Sequence, residues 1–91
     1  MLRNFLSSFP LAQMPMTTDV RLNSVTQATL SRHLKAYRSE AGMTQQVLAD
    51  KCGIYRTYLS RIESGLANPS IGVLAALAST LNIELYKFFI E

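Results

Sequence analysis

Apolar residues beyond position 29 recur at three- and four-residue spacing, which is the pattern of helices that bury one side. The first such stripe predicts a helix that begins between Thr26 and Thr29, either of which can cap it, and ends at Ala41 before Gly42. The buried side of this helix consists of Leu30, Leu34, Tyr37 and Ala41. His33 lies on the solvent side in this register, and with no second His or Cys nearby it is interpreted as a solvated or phosphate-facing residue.

The stretch from Thr44 to Gly65 predicts two short helices joined by a tight turn, and the other elements are arranged around it. Thr44 caps the first helix. The inner side of that helix consists of Val47, Leu48, Ala49 and Cys52. Gly53 can adopt a left-handed conformation at little cost, so the chain can turn abruptly between the two helices. Cys52 is interpreted as a small core residue and not as a nucleophile.

The second helix of this pair, residues 55–64, separates apolar from polar positions. At about 100° per residue, one side collects Tyr55, Leu59, Ile62 and Tyr58. The polar side spans roughly 140° and consists of Arg56, Thr57, Ser60, Arg61 and Ser64. A short helix of this kind can enter the major groove of DNA, where Arg can make a bidentate contact to guanine and Thr or Ser can reach a base edge. The pattern therefore indicates a helix that reads DNA.

A fourth helix is predicted from Ile71 to Leu81, with Ser70 as its cap and Asn82 as a left-handed stop. Its core side consists of Leu74, Leu77, Ala78 and Leu81. Residues 84–89 predict a short fifth helix or turn that contains three aromatic residues. This is more aromatic surface than a small core can hide, so we expect a subunit contact here, with additional core packing as the alternative. The expected contact residues are Leu85, Phe88 and Phe89, with Tyr86 or Ile90 at the edge.

Together these positions resemble the Cro/repressor type of helix-turn-helix domain, a group that includes lambdoid phage repressors and the controller proteins of restriction-modification systems. The matching positions, within residues 30–89, are Thr44-Gln45, Leu48-Ala49, Gly53-Ile54, Leu59 to Glu63, Gly65 and Asn68-Pro69-Ser70. The resemblance implies a compact all-α, five-helix, lambda-repressor-like domain at residues 28–91, preceded by an N-terminal extension at residues 1–27. The run Arg56-Thr57-Tyr58 is most similar to the controller proteins.

The same resemblance implies a function and the residues that perform it. A domain of this type is a sequence-specific DNA-binding transcription regulator, and we expect a homodimer on a palindromic operator. The residues expected to contact bases are Arg56, Thr57 and Arg61. Those expected at the DNA backbone or at base edges are Gln45, Tyr55, Tyr58 and Ser60. Arg38 is expected to pair with Glu63, with two independently solvated charges as the alternative.

Two places depart from the family pattern. Tyr55 replaces the Ser or Thr that caps the recognition helix in many relatives, so either packing compensates for the lost cap or the Tyr hydroxyl reaches a phosphate. Leu66-Ala67 stands where relatives often carry Lys or Arg against the DNA backbone. We therefore expect weaker nonspecific binding and a flatter salt dependence.

Composition agrees with a small DNA-binding domain. Nine basic residues against six acidic ones give the 91-residue chain a net charge of +3, a mild balance that suits a polyanionic partner. A single cysteine excludes an internal disulfide framework and a Cys-rich zinc site, and no apolar run approaches the ~20 residues that span a bilayer. Without a catalytic triad or a phosphate-cradling glycine loop, we expect no enzymatic activity, cofactor, metal or small-molecule ligand, and a cytoplasmic location.

Residues 1–27 do not match the domain and are interpreted as a disordered or loosely docked tail. One alternative is that translation starts at Met14 or Met16, and another is docking of the tail on the domain or on a second subunit through Phe5, Leu6, Phe9 and Leu11. The alternative function is a protein-interaction module, or an antitoxin that binds a toxin, that keeps the helix-turn-helix fold. The polar residues Arg56, Thr57 and Arg61 argue against it, because a helix that binds protein presents apolar anchors.

Overall fold

The computed structural model describes residues 23–91, and within them four α-helices and one short 3-10 helix follow in order. Helix α1 spans Ser24–Glu40, α2 spans Gln45–Cys52, α3 spans Arg56–Glu63 and α4 spans Ile71–Thr80. The 3-10 helix spans Leu85–Phe88. The described residues contain no strand, so this part of the chain is all-α. The short fifth helix or turn expected at residues 84–89 is this four-residue 3-10 helix, so the described residues contain four α-helices and not five.

Helix α1 begins earlier than predicted. Asn23 caps it, since its Oδ1 accepts a hydrogen bond of 2.8 Å from the backbone N–H of Thr26. Thr29, one of the two expected caps, does not cap the helix, because its hydroxyl donates to the carbonyl of Val25 one turn earlier. The helix therefore extends into the range expected to form the N-terminal extension. The remaining expectations about that extension lie outside the described residues; they concern the alternative starts Met14 and Met16 and the docking residues Phe5, Leu6, Phe9 and Leu11.

The caps of α2 and α4 and the stops after them follow the sequence prediction. Thr44 caps α2 and Ser70 caps α4, each accepting a hydrogen bond from the backbone N–H three residues later, at 3.1 and 3.2 Å. Gly53 ends α2 with a left-handed φ of 71°. Asn82 follows α4 with a φ of 58°, a conformation that Asn tolerates better than most residues. These ends fix the lengths of the loops that place α3.

The core receives apolar side chains from every element. Helix α3 packs on α1 and α2, α4 packs on α2, and the 3-10 helix packs on α1 and α4. The hydrophobic core cluster consists of Leu30, Leu34, Leu48, Ala49, Leu59, Ile62, Leu74, Leu77, Ala78, Leu81 and Phe88. Ala41, the expected end of the α1 stripe, is the C-cap of the helix and is exposed. Within residues 23–91 no helix is long and apolar enough to cross a membrane.

Candidate nucleic-acid interface

The turn between α2 and α3 brings these two helices close together. After Gly53 reverses the chain, the backbone N–H of Ile54 donates to the carbonyl of Ala49 at 3.1 Å. Ala49 is itself fully buried, and its methyl group leaves room for α3 to approach α2. This arrangement agrees with the predicted tight turn and holds α3 against the rest of the domain.

The inner side of α3 is narrower than predicted. Leu59 and Ile62 are buried and Tyr58 is half-buried, whereas Tyr55 is 83% exposed. The assignment of Tyr55 to the buried side is wrong because this residue precedes the helix, with an extended backbone to which the helical period does not apply. Its side chain makes no capping hydrogen bond. Since the ring is also exposed, packing does not compensate for the missing cap.

The outer side of α3 is polar and open to solvent. Arg56 and Thr57 are exposed in its first turn, and Arg61 is exposed in its last turn. Ser60 lies between them and is half-buried. The structure thus brings the three residues expected to contact bases to one accessible side of one helix. Their contacts with bases stay a prediction.

Arg38 of α1 and Glu63 at the end of α3 form a buried ion pair. The Nε of Arg38 donates to Glu63 Oε2 at 2.7 Å and its Nη2 donates to Oε1 at 3.0 Å. The two side chains are only 13% and 2% exposed, so these are not independently solvated charges. The hydrogen bond to Glu63 raises the pKa of Arg38, burial opposes this, and the negative charge of Glu63 adds to the rise. Arg38 Nη1 also donates to the carbonyl of Met43 at 2.8 Å, so one guanidinium joins α1, the α1–α2 loop and α3.

Gln45, expected at a DNA phosphate, already makes contacts within the protein. Its Nε2 donates to Glu63 Oε1 at 3.1 Å, and its Oε1 accepts a long hydrogen bond of 3.4 Å from Arg56 Nη1. The amide nitrogen keeps a second N–H, so the phosphate contact stays a prediction. Sequence reasoning missed both links, because the partners lie 18 and 11 positions away along the chain and no local pattern marks them.

The side chain of Arg61 also forms a hydrogen bond with the segment that follows α3. Its Nη2 donates to the carbonyl of Leu66 at 3.0 Å, while the backbone N–H of Leu66 donates to the carbonyl of Arg61 at 2.9 Å. Gly65 makes this reversal possible with a left-handed φ of 72°. The side chain of Arg61 is therefore oriented before any ligand arrives, and it retains further N–H groups for DNA.

The order of these residues matches a known family. The helix-turn-helix family HTH_3 covers residues 34–88. The chain belongs to this family. HTH_3 proteins are DNA-binding transcription regulators and are not enzymes.

Two curated relatives of this HTH_3 chain are longer proteins that match it over part of their length. The immunity repressor protein of Bacillus phage phi105 is 40% identical over 57 residues, which are 63% of this chain and 40% of the repressor. The transcriptional regulator SinR of Bacillus subtilis is 35% identical over 63 residues, which are 68% of this chain and 57% of SinR. The chain thus spans less than two thirds of the length of either relative.

Solved structures share the HTH_3 fold. The restriction-modification controller protein C.AhdI from Aeromonas hydrophila superposes with a TM-score of 0.69 at 29% identity, covering 71% of this chain and 98% of the controller. SinR in complex with DNA superposes with a TM-score of 0.65 at 34% identity, covering 67% of this chain and 98% of that one. The resemblance to the Cro/repressor type, including its controller proteins, is therefore confirmed.

In the C-terminal part of this HTH_3 domain, one of the residues expected at a subunit contact is buried in the core. Phe88 is fully buried, and its ring meets Tyr37 edge-on with the ring centres 6.2 Å apart. For Phe88 the alternative of core packing applies, because three residues per turn place positions 85 and 88 on the same side of a 3-10 helix. Leu85 and Phe89 are half-buried. The exposed apolar residues of this segment are Tyr86 and Ile90.

His33 does not lie on an open surface, contrary to the helical register. Its Nδ1 is 2.9 Å from the carbonyl oxygen of Phe88, and since a carbonyl can only accept, Nδ1 donates. Its Nε2 is 3.8 Å from the carboxylate of Glu91, which also pairs with Arg32. Helix α1 therefore holds the C-terminal segment. No group of His, Cys, Asp and Glu side chains in residues 23–91 could hold a metal ion.

Proposed function

We propose that this chain is a sequence-specific transcription regulator that inserts α3 into the major groove of DNA. The observation that carries the proposal is the outer side of α3, where Arg56, Thr57 and Arg61 are exposed while Leu59 and Ile62 anchor the opposite side. Arg can donate two hydrogen bonds to the N7 and O6 atoms of guanine, and Thr can contact a base edge or a thymine methyl group. The shared fold of SinR, solved in complex with DNA, supports this use of the domain.

Residues around α3 contact the DNA backbone in this proposal. The exposed ring of Tyr55 stands at the start of α3, and its hydroxyl donates to a phosphate. Gln45 uses its second N–H in the same way. Tyr58 and Ser60, both half-buried on α3, reach base edges or sugar and phosphate groups. Contacts of this kind fix the position of a protein on the duplex and make its affinity depend on salt.

The proposed regulator is a two-fold homodimer on a palindromic operator. One recognition helix reads only about four base pairs, too few to find one site among ~10⁶ or more competing sequences. A second subunit doubles the length that is read and places the half-sites about one helical turn, ~34 Å, apart. We assign the contact to the C-terminal apolar surface, defined as Leu85, Tyr86, Phe89 and Ile90. Tyr86 and Ile90 are 56% and 51% exposed, which supports them as its centre.

Selection of bound sequences from random duplex DNA tests the proposal. We expect one palindromic sequence to be enriched. Arg56→Ala and Arg61→Ala should each weaken binding to that sequence by ~1–3 kcal/mol and relax the preference at one or two base pairs. Their far-UV circular dichroism should match that of the parent protein, because both side chains are exposed.

Lys35→Ala is the matched control, since it removes an exposed basic residue from α1 and leaves α3 intact. It should change affinity less than either α3 variant and leave base preference unchanged. Arginine variants that bind the selected site as tightly as the parent would show that α3 does not read DNA. If no sequence is enriched, the chain is not a sequence-specific regulator.

A further inference from the structure

The loop that follows α3 is held by hydrogen bonds to two consecutive carbonyl groups. The carbonyl of Leu66 accepts from Arg61 Nη2 at 3.0 Å, and the carbonyl of Ala67 accepts from Gln27 Nε2 at 3.2 Å. Apolar packing contributes little here, because Leu66 is 63% exposed and Ala67 offers only a methyl group. The path of the loop between α3 and the buried Pro69 therefore depends on these two side chains.

Gln27 reaches the loop from the first turn of α1, 40 positions earlier in the chain than Ala67. Its backbone N–H donates to the carbonyl of the capping residue Asn23 at 2.9 Å, so the side chain starts from a fixed helical turn. Because a carbonyl can only accept, the NH₂ end of the Gln27 amide faces Ala67. Consecutive Cα atoms are ~3.8 Å apart, so holding the Ala67 carbonyl also restricts the peptide group of Leu66.

The Leu66 carbonyl in turn orients the guanidinium of Arg61, whose side chain lies on the outer side of α3. Arg61 Nη2 carries two N–H groups, of which one is parallel to the N–H of Nε and the other to an N–H of Nη1. Whichever of the two donates to Leu66, the other leaves one parallel pair intact. That pair can match N7 and O6 of a guanine. Arg61 is thus anchored to the loop and still able to read a base.

We propose that Gln27 is a positioning residue for base recognition, which holds the loop after α3 so that the Leu66 carbonyl directs Arg61 at its base. The inference rests on the proposed function, in which Arg61 contacts a base. The hydrogen bonds of Gln27 and Arg61 to consecutive carbonyls connect α1 to the DNA-facing side of α3. Helix α1 thereby contributes to sequence preference through a side chain that itself contacts no DNA.

A positioning role and a purely structural role of Gln27 predict different measurements. If Gln27 only stabilises the fold, its loss lowers the fraction of folded protein and therefore weakens binding equally on every DNA sequence. A positioning role contributes only at the base pair that Arg61 reads, and only while Arg61 is present. Removal of Gln27 should then reduce discrimination at that base pair and leave the other positions unchanged.

The test is a double-mutant cycle on the full chain with two duplexes. One duplex carries the sequence selected from random DNA, and the other differs at the base pair where Arg61→Ala loses discrimination. Gln27→Ala and Gln27→Met are compared in the parent and in the Arg61→Ala background. Met keeps the length of the side chain and is a good helix former but has no N–H to donate, so it preserves α1 if the shorter variant does not. Thr29→Ala is the control, because the Thr29 hydroxyl donates to the carbonyl of Val25 within α1 and not to the loop.

We expect both Gln27 variants to lower the ratio of affinities for the two duplexes by about threefold or more, which is part of the roughly fivefold to 150-fold discrimination of a bidentate Arg–guanine contact. In the Arg61→Ala background the same substitutions should leave that ratio unchanged. Losses that are equal on both duplexes, or that persist without Arg61, overturn the positioning role and leave Gln27 a structural residue. An unchanged ratio in the parent background also overturns it. If Arg61→Ala loses discrimination at no base pair, the base contact in the proposed function fails, and the positioning role fails with it.

Discussion

Helix α3 and the C-terminal 3-10 helix both place large side chains beside polar ones, but they follow different periods. In α3, about 3.6 residues per turn separate the buried Leu59 and Ile62 from the exposed Arg61. In the 3-10 helix, three residues per turn bring Leu85 and Phe88 to the side that faces the core. The same number of aromatic residues therefore exposes less apolar surface on this 3-10 helix than an α-helix would predict. The apolar surface that remains exposed at the C-terminus therefore includes residues such as Ile90, which follow the buried ring in the chain.

The largest expected effect is the loss of stability when the buried ring of the 3-10 helix is removed. Phe88→Ala should reduce the free energy of unfolding by ~3–5 kcal/mol, because it removes a fully buried aromatic side chain and leaves a cavity. Chemical denaturation of both proteins measures the change. Ile90→Ala is the matched control, and its exposed side chain should contribute no more than about 0.5 kcal/mol. A loss of stability below ~1 kcal/mol for Phe88→Ala would contradict the burial of this side chain in the core.

The ion pairs that hold these two regions differ in burial. Arg38–Glu63 at the end of α3 is buried, whereas Arg32–Glu91 at the C-terminus joins side chains that are 56% and 71% exposed. Glu63→Ala should destabilise the fold by ~3 kcal/mol, because it leaves the charge of Arg38 uncompensated. Glu91→Ala should cost less than ~1 kcal/mol, since solvent screens the exposed pair.

Urea denaturation of the parent and the two variants tests that contrast. Equal losses would mean that burial does not distinguish the pairs. The raised pKa of Arg38 adds no pH dependence of its own near neutrality. A folded-state pKa above the unfolded value stabilises the fold at every pH below the unfolded one, and for Arg that value is far above neutral.

The sequence predicted the parts of the fold that depend on local chemistry. The caps Thr44 and Ser70 and the left-handed stops Gly53 and Asn82 occur where their side chains or backbone freedom require them. Asn23 was accessible to the same reasoning, but it lies before the first apolar position, where no period marks the start of α1.

The misplaced residues depend on contacts between distant segments. His33 faces solvent in the helical register until the C-terminal segment covers it, 55 positions later in the chain. Gln45 reads as an exposed polar residue until the fold brings Glu63 and Arg56 beside it. Neither contact leaves a local pattern in the sequence. Residue type and helical period thus predicted that Arg56, Thr57 and Arg61 are exposed, but they gave no sign of side chains whose partners are remote.

In the C-terminal segment Phe88 belongs to the core and Ile90 to the surface, so of these two residues only Ile90 is free to contact a second subunit. If the C-terminal apolar surface joins two subunits, Ile90→Glu places two carboxylates near the two-fold axis and should weaken the dimer by ~2 kcal/mol or more. Sedimentation equilibrium at micromolar concentration measures this. Glu84→Gln, at an exposed position before the 3-10 helix, is the control and should leave the dimer intact. A parent protein that sediments as a 10.1 kDa monomer while binding a palindrome tightly would contradict the homodimer.

The smallest expected effect concerns the start of α3, which lacks the side-chain cap that α2 and α4 possess. Tyr55 is exposed and makes no capping bond, so Tyr55→Ser should stabilise the fold by about 1 kcal/mol by supplying one. If the Tyr hydroxyl donates to a phosphate, the same variant should bind DNA more weakly on every sequence and lose about one unit of salt slope. Tyr55→Phe separates the two effects, because it removes only the hydroxyl and cannot cap. Thermal melting and salt-dependent binding of both variants give the result, and a Tyr55→Phe variant with unchanged affinity and slope would rule out the phosphate contact.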